Sequence, residues 1–251
     1  SFGAAGFAFH AIDLRRYGRS LVSGQYAGFS TDFSDYAVEL DAALAYLKAH
    51  YDSVTLLAHS TGGLIGSLWA DSRPGELDAV VLNAPFISST KPLLETKLLA
   101  YIFDGLAKLN PLYPIQMPDT GFFQRTLHRS LDGEWDYDFN IKGNPAAFRI
   151  RVGWFYAALT GHLKIMAGLN ISAPVLVVTS EKSNFSNTWD ADLIESDIVL
   201  DVEWIKKMAP NLGKDVTIET ITKGCHDVFL SRPAARKQAL ATVQNWLNQK
   251  L

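Results

Sequence analysis

With one cysteine, three methionines and ten prolines in 251 residues, the chain has little of what several architectures require. Cys225 has no partner within the chain, so an intrachain disulfide is excluded and a reducing, cytoplasmic setting is the expectation. Long apolar runs are missing too. None approaches the ~20 residues of a membrane-spanning helix, and no basic start leads into an apolar core of the signal-peptide kind. The chain opens on Ser1 rather than methionine, so a targeting segment ahead of it stays compatible with this expectation. Lys and Arg number 23 against 26 Asp and Glu, a formal charge of −3, and no basic run tracks a phosphate backbone. Nucleic acid is therefore not an expected partner. There is no internal repeat or low-complexity stretch, and nothing calls for a metal or an organic cofactor. What the chain does have is 48% hydrophobic residues at a mean hydropathy of +0.04, enough for one sizeable core.

The most informative stretch runs from Ser53 to Gly66, where the apolar run Val54 to Ala58 ends in His59-Ser60-Thr61-Gly62-Gly63 and opens into a helix-like segment. A serine on a sharp strand-to-helix turn takes a strained backbone, which demands small residues two before and two after it. Ala58 and Gly62 meet that demand, although glycine is usual at both places. The following helix would aim its free N–H groups and positive dipole end at the serine, where negative charge builds up in acyl transfer.

Residues 7–13, from Phe7 to Asp13, are apolar enough for a buried strand. Tyr36, Leu40, Leu44 and Leu47 recur at helical spacing, with Glu39, Asp41 and Lys48 off that stripe. Residues 54–58, 79–82, 174–179 and 216–221 are further strands, and residues 62–71, 201–208 and 234–247 are helices. Alternation of this kind predicts an α/β fold with a mostly parallel sheet covered by helices on both faces. Between residues 86 and 168 strand-like runs vanish and aromatics become dense (Tyr101, Phe103, Tyr113, Phe122, Phe123, Trp135, Tyr137 and Phe139), while Pro111, Pro114 and Pro118 cluster. This segment is expected to be an inserted helical cap, with residues 1–85 and 169–251 as the two parts of the core. Within it, Leu94, Leu98, Ile102 and Leu106 mark one helix. A second has Asn144 as N-cap and Pro145 at its first position, with Phe148, Val152, Phe155 and Leu159 on one face. Most of the aromatics are read as the cap's own core, and the rest would favour an apolar, acyl-like ligand.

A serine hydroxyl is a poor nucleophile unless a base takes its proton and a carboxylate orients that base. Of the six histidines, His226 lies in the loop after the last expected strand and suits the base role. His10 falls in a strand, His50 at a helix end, His128 and His162 in the cap, and His59 is expected to point away. The loop after Thr179 offers Glu181, Asp190, Asp192, Glu195, Asp197 and Asp201. Asp197 is preferred because the apolar residues after it would anchor its loop, and Glu181, two residues past a strand end, is the runner-up. The order Ser60, Asp197, His226 is that of α/β-hydrolases.

Asp13-Leu-Arg-Arg-Tyr-Gly18-Arg19-Ser20, the Ala58 to Gly62 turn, Asp197-Ile-Val-Leu-Asp-Val and His226-Asp227-Val-Phe-Leu-Ser together resemble the lysophospholipase, monoacylglycerol lipase and serine-aminopeptidase-like group of α/β-hydrolases. The resemblance covers nearly the whole chain, the cap least. It implies hydrolysis of a carboxylic ester through an acyl-enzyme, with Ser60 as nucleophile, His226 as base then acid, Asp197 as its orienting acid and the Thr61 N–H as an oxyanion donor. A small, partly apolar acyl ester is the implied partner. Members of that group carry early strands and a His-Gly loop supplying a second oxyanion donor, and nothing before Phe7 resembles it. The expectation is a sequence without those strands; one missing donor costs on the order of 100- to 1,000-fold in rate. A non-catalytic binding protein on the same fold is the first alternative. An aminopeptidase, with Asp132, Glu134, Asp136 and Asp138 holding a substrate amine, is the second.

Overall fold

A computed structural model describes residues 2–116, 120–137 and 148–251. Four apolar runs form the sheet: β1 (Thr55–His59), β2 (Ala79–Asn83), β3 (Val175–Ser180) and β4 (Val216–Ile221), in the spatial order β1-β2-β3-β4 and parallel throughout. Seven α-helices accompany it among the described residues: α1 (Ala37–Lys48), α2 (Thr61–Asp71), α3 (Leu93–Leu109), α4 (Phe122–Leu127), α5 (Val152–Ala167), α6 (Val202–Met208) and α7 (Pro233–Lys250).

The central strands β2 and β3 are buried along their whole length and read as near-continuous apolar runs because both sheet faces are covered there, whereas the edge strand β4 exposes Glu219 and Thr220. Val80, Leu82, Val175 and Val177 meet Leu40 and Leu44 of α1, Leu64 and Trp69 of α2, Trp154 of α5 and Ile205 of α6. Their alternate neighbours Ala79, Val81, Leu176 and Val178 meet Ala235, Ala239, Val243 and Trp246 of α7. The expected parallel sheet with helices on both faces is thus borne out. All its strand carboxyl ends lie along one edge, where ligands of open α/β sheets bind.

Two expectations need correction. Residues 7–13 do not form a strand: they have no ladder partner, and Phe9 and Ile12 are 66% and 45% exposed. Apolar composition favours a strand only when a neighbour takes its backbone N–H and C=O groups. Phe7 instead joins Phe2 and Phe229 beside the α7 core. The second correction concerns α5, which starts at Val152. Asn144 and Pro145 lie outside the described residues, as do Pro118, Asp138 and Phe139. Phe148 precedes the helix because residues 150–153 are held by backbone bonds to residues 111–115: Ile115 N–H to Ile150 O (2.8 Å), Val152 N–H to Tyr113 O (3.0 Å) and Gly153 N–H to Pro111 O (2.9 Å). Helix α4 escaped sequence reading because six residues carry too little periodicity.

The steric demand at the β1–α2 crossing also falls elsewhere than expected. A Cβ on Gly62 would meet nothing within 4 Å, whereas one on Gly63 would lie 2.5 Å from Pro85 Cβ and 2.8 Å from Pro85 Cα. Gly63→Ala should therefore cost about 1–3 kcal/mol by overpacking, lowering the melting temperature by about 2–4 °C per kcal/mol. Gly105→Ala, at a helical position with nothing within 4 Å, should hold or raise it. Calorimetry showing Gly63→Ala as stable as the parent would contradict this packing.

Candidate active site

Ser60 sits between β1 and α2 with φ 53° and ψ −121°, a strained conformation for a residue bearing a Cβ. The turn is fixed by its own backbone. Ser60 N–H donates to Asn83 O (3.1 Å), and Ser60 O accepts from Gly63 N–H (2.9 Å) and from Phe86 N–H (2.9 Å). Thr61 is the first residue of α2, so its N–H has no intrahelical acceptor. The helix end thus presents a free donor beside the hydroxyl.

Asp197 and His226 come to Ser60 from loops beyond β3 and β4. Their strand ends are tied together: Glu181 N–H donates to Ile221 O (3.1 Å), and the buried Ser180 hydroxyl lies 2.7 Å from Gly224 O. Asp197 itself is anchored by its N–H to Lys182 O (2.9 Å) and by Asn184 N–H to its carbonyl (2.9 Å). Its Oδ1 accepts from Val199 N–H and Leu200 N–H, both at 2.8 Å, and its Oδ2 lies 2.9 Å from His226 Nδ1. His226 Nε2 in turn lies 3.1 Å from Ser60 Oγ. The two N–H bonds and complete burial hold the carboxylate facing Nδ1, so the neutral ring carries its proton there and turns the Nε2 lone pair to the serine. Such an arrangement can take a proton from Ser60 and return it to a leaving group.

The structure thus brings Ser60, Asp197 and His226 into one hydrogen-bonded line, with Thr61 beside it. It does not bring Glu181, whose Oε1 accepts from Lys223 N–H at 3.0 Å. His10 and His50 bond Tyr51 OH (2.8 Å) and Tyr46 O (2.7 Å), away from the site. His59, expected to point away, packs its ring 4.8 Å from that of His226. Phe123 of α4 lies 6.2 Å from the same ring. Cys225, next to His226, is buried, which pushes its thiol up to about 11 and keeps it protonated. Its S–H donates to Asp227 O at 3.0 Å. Asp13, Arg19 and Ser20 close a turn of their own, with Arg19 Nε 2.6 Å from Asp13 Oδ2 and the Ser20 hydroxyl donating to Asp13 O at 2.8 Å. Among the described residues, no group of three His, Cys, Asp or Glu side chains is arranged to hold a metal, and no helix is long and apolar enough to cross a membrane.

A cavity of about 430 Å³ is lined not by Ser60, Asp197 or His226 themselves but by residues bonded to them. Its wall includes Phe86, bonded to Ser60, and Val199 and Leu200, bonded to Asp197; Leu99, Phe155 and Leu159 come from α3 and α5. Of the aromatics singled out from the sequence, Phe103 only backs this wall, packing on Phe155 at 4.7 Å.

The family model described as serine aminopeptidase, S33, matches residues 1–232. Methylesterase 7 of Arabidopsis thaliana is 35% identical over 107 residues, 42% of this chain and 37% of that protein. A monoacylglycerol lipase of Mycolicibacterium smegmatis is 28% identical over 126 residues, 49% of this chain and 43% of that protein. The matches thus span less than half the length of these relatives. Among solved structures, a soluble variant of Saccharomyces cerevisiae monoglyceride lipase superposes with a TM-score of 0.66 at 16% identity, covering 95% of this chain and 76% of that one. The monoacylglycerol lipase of Paleococcus ferrophilus gives 0.58 at 18% identity, covering 88% and 76%. These structural likenesses bear on the fold, and with the family match they bear out the group resemblance read from the residues.

His162 of α5 generates a measurable pH effect. Its Nε2–H donates to Phe86 O (2.9 Å), and burial pulls the ring from 6.5 to about 4. Below pH ~6.5 the unfolded state takes up the proton first, so stability falls toward pH 4 by on the order of 3 kcal/mol. Urea unfolding of His162→Gln should show a shallower loss between pH 7 and 4.5 than the parent. Equal losses would contradict the burial of a neutral ring.

Proposed function

Since the chain belongs to the serine aminopeptidase (S33) family of α/β-hydrolases, we propose that it hydrolyses a carboxylic ester through an acyl-enzyme formed on Ser60. A lysophospholipid, a monoacylglycerol or a similar acyl ester is the proposed substrate. One observation carries this reading: the continuous line from the Asp197 carboxylate through His226 to the Ser60 hydroxyl, at 2.9 and 3.1 Å. His226 Nε2 takes the hydroxyl proton as Oγ bonds the ester carbon, then gives it to the departing alkoxide. Water repeats the cycle with His226 again as base, releasing the acid and restoring Ser60. Thr61 N–H and the α2 dipole stabilise the oxyanion in both halves.

Residues 86–168 serve in this reading as a cap over the core formed by residues 1–85 and 169–251. The apolar cavity between α3, α5 and the acid loop takes the acyl portion, which fits the relatives named methylesterase and monoacylglycerol lipase. Each methylene buried there adds up to ~0.8 kcal/mol, so specificity should rise from acetyl to hexanoyl esters. An aminopeptidase role is disfavoured by the acids it would need. Asp132 is paired with Arg125, Glu134 with Arg232 and Arg236, and Asp136 with Arg129, which leaves none of the three uncompensated for a substrate amine.

Hydrolysis of short and medium acyl p-nitrophenyl esters tests the reading. The parent should turn over, and Ser60→Ala should lower kcat by at least about 1,000-fold while remaining folded. No turnover by the folded parent, or turnover that survives Ser60→Ala, would overturn it.

A further inference from the structure

Asn83, the last residue of β2, is 1% exposed and directs its polar groups at two distant parts of the site. Its carbonyl accepts the Ser60 N–H at 3.1 Å. Its side-chain Nδ2–H donates to Asp227 Oδ1 at 2.7 Å, and its Oδ1 accepts the Val228 N–H at 3.2 Å. Asp227 and Val228 directly follow His226, 144 and 145 residues along the chain from Asn83. We propose that Asn83 is a positioning residue: it ties the nucleophile turn through its backbone to the histidine loop through its side chain, and so sets the Ser60 to His226 distance.

The physical case rests on how that loop is otherwise held. From Cys225 to Ser231 it has no regular ladder; Cys225 N–H donates to Ser231 Oγ at 2.9 Å, and Asp227 Oδ1 takes Phe229 N–H at 3.2 Å. These bonds close the loop on itself. Its flanks are held by the Ser180 hydroxyl donating to Gly224 O (2.7 Å) and by Trp135 Nε1–H donating to Leu230 O (2.7 Å), and Val228 packs into the α7-side core. The amide of Asn83 ties residues 227 and 228, the two that directly follow His226, to the sheet from the strand next to β1, opposite His59 in register. Its bond to the half-buried Asp227 carboxylate is charge-assisted, which makes it stronger than a bond between two neutral groups. Release of the loop would let His226 drift, and a displacement of about 1 Å at a reacting group costs on the order of 100-fold in rate. No apolar residue of similar size supplies both a donor and an acceptor at this point.

The inference rests on the ester-hydrolase reading for its kinetic consequence but not for its structural one. Its test uses Asn83→Asp and the exchange Asn83→Asp with Asp227→Asn, in the full chain. The single variant sets two carboxylates against each other. The exchange returns a donor amide at 227 facing a carboxylate at 83, which still accepts the Val228 N–H; the Phe229 N–H, which shares Asp227 Oδ1 in the parent, must turn to the other end of the new amide. Two readouts are taken: kcat and KM for a p-nitrophenyl ester, and the downfield proton signal of His226 Nδ1–H, assigned by its loss in His226→Gln. Asn83→Asp should lower kcat about 100-fold with little change in KM, and should shift or broaden the Nδ1–H signal. The exchange should restore both, which a merely structural loss would not do. Parent-like kcat and Nδ1–H in Asn83→Asp would overturn the proposal, and so would an exchange no better than the single variant. Absence of ester turnover in the parent would instead count against the hydrolase reading, while the Nδ1–H signal, read without substrate, still decides the role of Asn83.

Discussion

The hydrogen bond from the buried Asp197 carboxylate to His226 Nδ1 is the contact on which the rest of the site depends. It fixes which nitrogen of the ring carries the proton, and hence whether Nε2 meets Ser60 as an acceptor or as a useless donor. Asp197 has no exposure, so its oxygens must find their hydrogen-bond partners within the protein. Here Val199 N–H, Leu200 N–H and the ring supply three partners. The sheet makes this possible at long sequence range. A parallel arrangement delivers the elbow after β1, the acid loop after β3 and the histidine loop after β4 to a single edge, with β2 and β3 buried between the two helical layers and β1 and β4 paired to them.

What was legible in the sequence was whatever is written locally in it. β2 and β3 are near-continuous apolar runs and β4 alternates around Glu219, while α1 and α7 carry their period in the residues themselves; the stripe Leu94, Leu98, Ile102 and Leu106 marks α3 as a helix but faces outward, Thr96 and Ala100 being its buried positions. Ser60, Asp197 and His226 could be singled out because each follows a strand in an order that chemistry makes sense of. The two residues that place N–H groups on its Oδ1 are Val199 and Leu200, through their backbone rather than through buried side chains, Val199 being exposed. Glu181 competed only because its distance from the strand end was the same kind of signal.

The remainder depends on partners that a sequence does not display. Residues 7–13 have strand composition but no ladder, and α5 starts later than its apparent cap because residues 150–153 are engaged with residues 111–115. The glycines at the elbow were misassigned by one position: the close approach is to Pro85, on the next strand's exit, and meets Gly63 rather than Gly62. Asn83 carries a faint signal, a polar residue closing an otherwise apolar strand, yet its role lies in contacts with residues 227 and 228. His59 behaved likewise, since only the tertiary packing shows its ring against His226.

The central claim is that Ser60 is a nucleophile activated by a ring that Asp197 orients. Covalent trapping tests it most directly: the folded chain is incubated with a fluorophosphonate, digested, and the adduct located by peptide mass spectrometry. The account predicts one phosphonylated peptide, modified at Ser60, with labelling strongly slowed in His226→Ala and in Asp197→Asn. An adduct on another residue, or labelling of Ser60 at an undiminished rate in both variants, would contradict it.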